Sequence, residues 1–272
     1  MRNKLTFLFF IFSIFCFSQR NWSIKFYNET TGKEILIFAD NEEVMPMSAK
    51  FDFKLDNLTS TLSNNDIIVI PAKAKKFLIA KLTPIKPNAG NSFSYKNTYN
   101  FGNVLQEDYD KDYIYSLPFE KGKTQRIYQG YNGKFSHENT NALDFNLKIG
   151  DKIFAAREGI VTDVVKNNTK SCPNISCAKF NNKIIIMHSD GTFADYAHLK
   201  YNGSEVNIGD EIEKGQLIGY SGNTGFSNGS HLHFSVFINR INGERTYLKT
   251  KFRTSVSEAT LLEENKSYTK NY

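Results

Sequence analysis

Between residues 20 and 110 apolar side chains recur at every second position in short runs separated by polar turns, as in Phe51, Phe53 and Leu55. Side chains two apart on an extended chain share a face, so this pattern predicts strands half buried against a core. Strands are expected at 22–27, 34–39, 50–55, 66–70 and 76–81. Five or more such runs in about 90 residues predict a small β-sandwich. Residues 106–112 are acidic and mark a boundary. Beyond them glycines become regular and strand-like runs continue. Helix signals are scarce; the best is 255–264, where Ser255 and Glu258 fit a capping box. The expected fold is therefore mostly β. An antiparallel β-sheet domain over 113–250 follows a sandwich-like module over 19–110 and precedes a C-terminal extension over 251–272.

The first residues have another character. Arg2 and Lys4 precede a run over 5–17 that is apolar except for Thr6 and Ser13. Cys16 and Ser18 then put small residues at the −3 and −1 positions of a cut before Gln19, the pattern of a cleaved signal peptide over 1–18. The run falls short of the ~20 apolar residues that span a bilayer. The reading is export to the periplasm or the extracellular space, with no membrane span after cleavage. Of three cysteines, Cys16 leaves with the signal, and Cys172 and Cys177 flank a turn-like segment. An oxidising compartment favours a disulfide between them. It is expected to trim the turn without a part in catalysis.

Composition adds exclusions. Hydrophobic residues at 40% and charged residues at 23% rule out disorder, collagen and coiled coil. A net charge of +6 without a concentrated Lys/Arg run gives no footprint for nucleic acid.

Chemistry is confined to the second half. The 19–110 stretch has no His and no Cys, whereas all five histidines lie from His137 to His233. On a strand His231 and His233 share a face, and Leu232 and Phe234 point to the other. With His137 and Asp144 upstream, one of this pair completes a His₂Asp set with a fourth position open to water, as catalytic zinc requires. His198 and the remaining histidine are then available as base and oxyanion donor. The His-Glu-x-x-His helix signature is absent, since Asn141 stands where a second His is needed.

Residues 113–240 resemble the lysostaphin-type, LytM-like zinc metalloendopeptidases, which cut peptide cross-links of bacterial peptidoglycan. The resemblance rests on the His137…Asp144 pair, 155–161, the Asp190-Gly-Thr-Phe-Ala-Asp-Tyr-Ala-His-Leu199 run, 206–210, 214–219, 221–225 and His231-Leu-His233. It implies one zinc per chain held by His137, Asp144 and His233, with His198 and His231 as the catalytic pair. It also implies a hydroxyl for the site from Tyr131 and a structural role for His188. The family's usual His-x-x-x-Asp spacing is widened here to six intervening residues, and polar 138–141 are expected to bulge outward. The implied substrate is a stem or bridge peptide of peptidoglycan, from the cell's own wall or a foreign one. The alternative from another class is a catalytically silent wall-binding or regulatory protein. Because every site residue follows 113, the segment 113–250 is expected to fold and hold metal without 19–110.

Overall fold

The alternation before residue 110 becomes two facing antiparallel sheets in the structure, a computed structural model that describes residues 22–272. The expected signal peptide lies outside the described residues. One sheet runs Ile24–Thr31, Glu34–Asn41, Phe77–Pro84, Leu58–Ser60, and the other Ile67–Ile70, Met47–Asp56, Ser92–Phe101. Ile37 and Ala80 of the first meet Ala49, Phe51 and Phe53 of the second in a shared core. Two of these strands, Leu58–Ser60 and Ser92–Phe101, are not among the expected runs; the second pairs along the whole length of Met47–Asp56.

The second half is organised by one large sheet. Its order is Glu211–Ile212, Gly159–Val165, Lys183–Met187, Phe193–Ala197, Leu232–Asn239, Ala142–Phe145, Thr124–Gln129, Ser267–Thr269, and Arg245–Leu248 pairs with the far half of Leu232–Asn239. Alternation divides the faces. Leu143, Phe145, Ile184, Ile186, Ala194, Tyr196, Leu232 and Phe234 enter the main core. Residues at the intervening positions, among them Ile185, Phe193 and Phe237, point to the opposite face. Toward one end of that face the sandwich packs down: Met45, Met47 and Phe101 join Ile185, Phe193 and Phe237 in a third core. Phe101 meets both Phe193 and Phe237 edge-on. Asn239 Nδ2 donates to Phe101 O, and Asn100 Nδ2 to Arg240 O.

This junction bears on the expectation that 113–250 folds without 19–110, because Ile185, Phe193 and Phe237 are covered by residues of the sandwich. The approach is close at Gly102, where φ is +84° and a Cβ would lie 2.7 Å from Phe193 Cε2. Gly102→Ala is therefore expected to lower stability by about 1–3 kcal/mol through strain and overpacking. A lower urea midpoint with an unchanged m-value checks this.

Residues 251–272 also belong to this fold. Lys251–Phe252 pairs with Ile114–Tyr115, Ser267–Thr269 pairs with Thr124–Gln129, and Phe252 and Leu262 are in the main core. The helix expected at 255–264 does not form. Thr254 Oγ1, not Ser255, accepts backbone N–H groups, from Val256 and Ser257. Ser255 N is drawn instead to Thr269 O. Val256 is 90% exposed while Leu262 is buried, so the segment lacks a continuous apolar face. Among the described residues no helix is long and apolar enough to cross a membrane.

Candidate metal centre

Strand register assembles the centre before any loop is considered. Asp144 is opposite His233 on one side and Gln129 on the other, and His233 is opposite Ala197 across the next pairing. These four side chains form one row across four strands. His137 enters from the loop after Thr124–Gln129. There Gly133 O accepts its backbone N–H, and Gly130 O accepts its Nδ1–H at 3.0 Å. A carbonyl only accepts, so Nε2 is left as the lone-pair nitrogen.

Three ligand atoms converge. His137 Nε2 and His233 Nδ1 are 3.2 Å apart, His233 Nδ1 and Asp144 Oδ1 3.0 Å, and His137 Nε2 and Asp144 Oδ1 3.3 Å. Metal–ligand bonds of about 2.0–2.1 Å in a tetrahedron give edges of about 3.3–3.4 Å, so this near-equilateral triangle fits one face of such a site. Among the described residues these three are the ones grouped closely enough to be able to hold a metal ion. Burial acts to raise the Asp144 pKa, but the close approach of His137 and His233 and the imidazole of His231 outweigh it, holding the carboxyl well below the usual carboxylate range. Gln129 Nε2 reaches Asp144 Oδ2 at 3.4 Å and Ser136 Oγ at 2.8 Å, tying the ligand to the His137 loop. Such outer contacts fix ligand orientation.

Two more imidazoles flank the triangle. His231 Nε2 is 3.7 Å from Asp144 Oδ1, and its Nδ1–H donates to Gly229 O at 2.9 Å. The His198 ring is 4.6 Å from that of His231 and 5.8 Å from that of His233, centre to centre. His198 adopts φ +63°, a left-handed conformation uncommon outside glycine. Asn181 Oδ1 accepts its N–H at 2.9 Å, and Thr224 O accepts its Nδ1–H at 2.7 Å. Burial, with His231 and His233 nearby, pushes the His198 pKa down to about 3, and burial also lowers that of His231. Both rings are thus held neutral, with Nε2 as the basic nitrogen.

The other expected residues fall elsewhere. The Tyr131 hydroxyl is taken up by Thr250, donating to its carbonyl or hydroxyl oxygen at 3.0 Å and accepting its N–H. Tyr131 thereby braces the His137 loop. His188 is buried against Tyr115, its Nδ1–H donates to Glu158 O, and burial pushes its pKa down to about 4. Glu138 and Asn139 are exposed, so the widened spacing does bulge outward. The Cys172 and Cys177 sulfurs are joined. Gln129, Asn181 and Thr224 were not singled out by the sequence. Of these only Thr224 carries a signal, its place within the Ser221–Gly225 motif.

Comparison with known proteins gives a family match over the part of the chain that holds most of these residues. Residues 138–246 match Peptidase family M23. A protein described as an uncharacterized metalloprotease from Buchnera aphidicola subsp. Baizongia pistaciae is 30% identical over 162 residues, covering 54% of this chain and 39% of its own. Lysostaphin from Staphylococcus staphylolyticus is 31% identical over 134 residues, covering 48% of this chain and 23% of its own. The peptidoglycan DD-endopeptidase ShyA of Vibrio cholerae is 30% identical over 98 residues, covering 36% and 20%. The chain thus spans well under half the length of these curated relatives. The matched segment supplies Asp144, His198, His231 and His233, and it identifies residues 138–246 as a peptidase domain of family M23.

Proposed function

We propose that this chain is an exported zinc endopeptidase that hydrolyses peptide bonds in the stems or bridges of bacterial peptidoglycan. The observation that carries the reading is the triangle of His137 Nε2, Asp144 Oδ1 and His233 Nδ1 with two neutral, buried imidazoles beside it. Two nitrogens and one carboxylate oxygen are a donor set suited to zinc with a catalytic position left open. The relatives named as lysostaphin and as a peptidoglycan endopeptidase support the substrate class.

A zinc ion in that triangle supplies Lewis-acid polarisation of a peptide carbonyl and acidifies a water. The chain's own groups do the rest. Asp144 keeps its negative charge in a buried setting, and Gln129 and Gly130 hold Asp144 and His137 in orientation. His231 and His198 spend their Nδ1–H groups on carbonyls, so each presents Nε2 as an acceptor. One takes a proton from the attacking water as the carbon–oxygen bond forms. The imidazolium so produced donates to the developing oxyanion and then returns the proton to the leaving amine as the carbon–nitrogen bond breaks.

His198→Ala and His231→Ala separate this role from metal binding. Each is expected to keep about one zinc per chain while losing on the order of 10²–10³-fold in turnover, the range for a base or an oxyanion donor. Metal analysis beside clearing of purified wall checks it. Loss of zinc in His231→Ala would reverse the assignment within the His231/His233 pair.

A further inference from the structure

The disulfide-closed segment stands directly behind the two flanking imidazoles. Ser171–Cys172 runs parallel to Gly225–Phe226, with Gly225 N donating to Lys170 O at 2.8 Å and Ser227 N to Cys172 O at 3.2 Å. Cys177, whose Cα is 5.9 Å from that of Cys172, lies in the 3₁₀ turn Ile175–Phe180. The residues leaving this turn reach the site. Asn181 accepts the His198 N–H, and Asn182 N donates to Thr224 Oγ1 at 3.1 Å. A Cβ on Gly225 would lie 2.8 Å from Asn181 Cα, so turn and loop touch without slack.

That loop, 224–229, supplies the acceptors that orient the imidazoles: Thr224 O for His198 and Gly229 O for His231. Ser227 Oγ, bonded to Gly229 O at 2.7 Å, reinforces the second. The sulfur bridge thus fastens the strand that pairs with the loop to the turn that grips the His198 backbone. Neither cysteine is among the residues that contact the metal triangle.

We propose that the Cys172–Cys177 disulfide is a positioning element for His198 and His231. It holds the 224–229 loop so that both rings keep their Nδ1–H tautomer, and its reduction lowers turnover without releasing metal. This rests on the reading of His198 and His231 as the working imidazoles, and it reverses the expectation that the bridge only trims a turn. The bridge closes a separation of five residues, so it adds less stability than the ~3 kcal/mol of a 15-residue loop. A catalytic effect can therefore be told from an unfolding one.

The test uses the full exported chain in three forms: oxidised, reduced with a phosphine, and Cys172→Ala/Cys177→Ala. Zinc content and urea midpoint are measured on each, with apparent kcat and KM on dye-labelled purified peptidoglycan. Imidazole ¹⁵N shifts report the tautomer of each ring. Breaking the bridge should lower kcat about 10–100-fold and move apparent KM by less than about two-fold, as small misplacement of reacting groups does. Zinc should stay bound, the ¹⁵N shifts of His198 and His231 should move toward tautomer averages, and reoxidation should restore both rate and shifts. Unchanged kcat and tautomers would overturn the proposal, as would a fall in rate that follows loss of zinc. If the oxidised protein cuts no peptidoglycan, the proposed function fails, and the tautomer comparison still decides the positioning role.

Discussion

Replacing His233 with alanine is expected to strip the metal and abolish hydrolysis, and Asp144→Ala is expected to do the same. Each contributes one corner of a triangle whose edges are 3.0–3.3 Å. Two remaining protein ligands do not close a catalytic site. Loss of an outer-shell contact alone typically costs 10–100-fold in metal affinity or activity, so losing a ligand should cost more. The two variants differ in a second respect. Asp144 is the carboxylate about which His137, His231 and His233 gather, and its removal leaves three imidazoles facing one another without a counter-charge. Asp144→Ala should therefore lose metal at least as completely as His233→Ala. Zinc content after dialysis, with circular dichroism to show that each variant is folded, checks both.

Deleting residues 19–110 is expected to leave the rest unable to fold stably. Ile185, Phe193 and Phe237 lie under Met45, Met47 and Phe101, and all six are buried. Uncovering three large apolar side chains at roughly 1.5–3 kcal/mol each forfeits about 5–9 kcal/mol as an upper figure. Domain stabilities are typically about 5–15 kcal/mol, so the loss takes much or all of the margin. A fragment of residues 111–272 should be insoluble, or soluble with dye-binding apolar surface and no cooperative urea transition. A fragment that unfolds at the midpoint of the full chain would show that the third core contributes little.

Period-two alternation made much of the site legible. It placed His231 and His233 on one face and sent Leu232 and Phe234 into the core, which the register reproduces. The outward bulge at 138–141 was likewise readable from its polar residues. What alternation cannot reveal is which strand lies beside which. Gln129 reaches Asp144 only because Thr124–Gln129 pairs with Ala142–Phe145, a relation set by the tertiary fold. The third core was hidden for the same reason: Met47, Phe101 and Phe237 have the pattern of ordinary strand residues, and nothing local says that their faces meet. At 255–264 a local signal misled. Ser255 and Glu258 fit a capping box, but Ser255 N goes to Thr269 O on the C-terminal strand and Thr260–Leu261 pairs with Lys251–Phe252. The reach of the Cys172–Cys177 segment to His198 runs through Asn181 and Thr224, contacts between positions 17 and 26 residues apart from the histidine.

The most direct test of the central claim is mass spectrometry of the fragments released when the zinc-loaded full chain digests purified peptidoglycan, compared with chelator-treated protein. The expected result is fragments with intact glycans and newly exposed peptide amines and carboxylates, each cut adding one water, and their disappearance on chelation. Cleavage at glycosidic bonds, equal release after chelation, or no release by protein shown to carry zinc would contradict it.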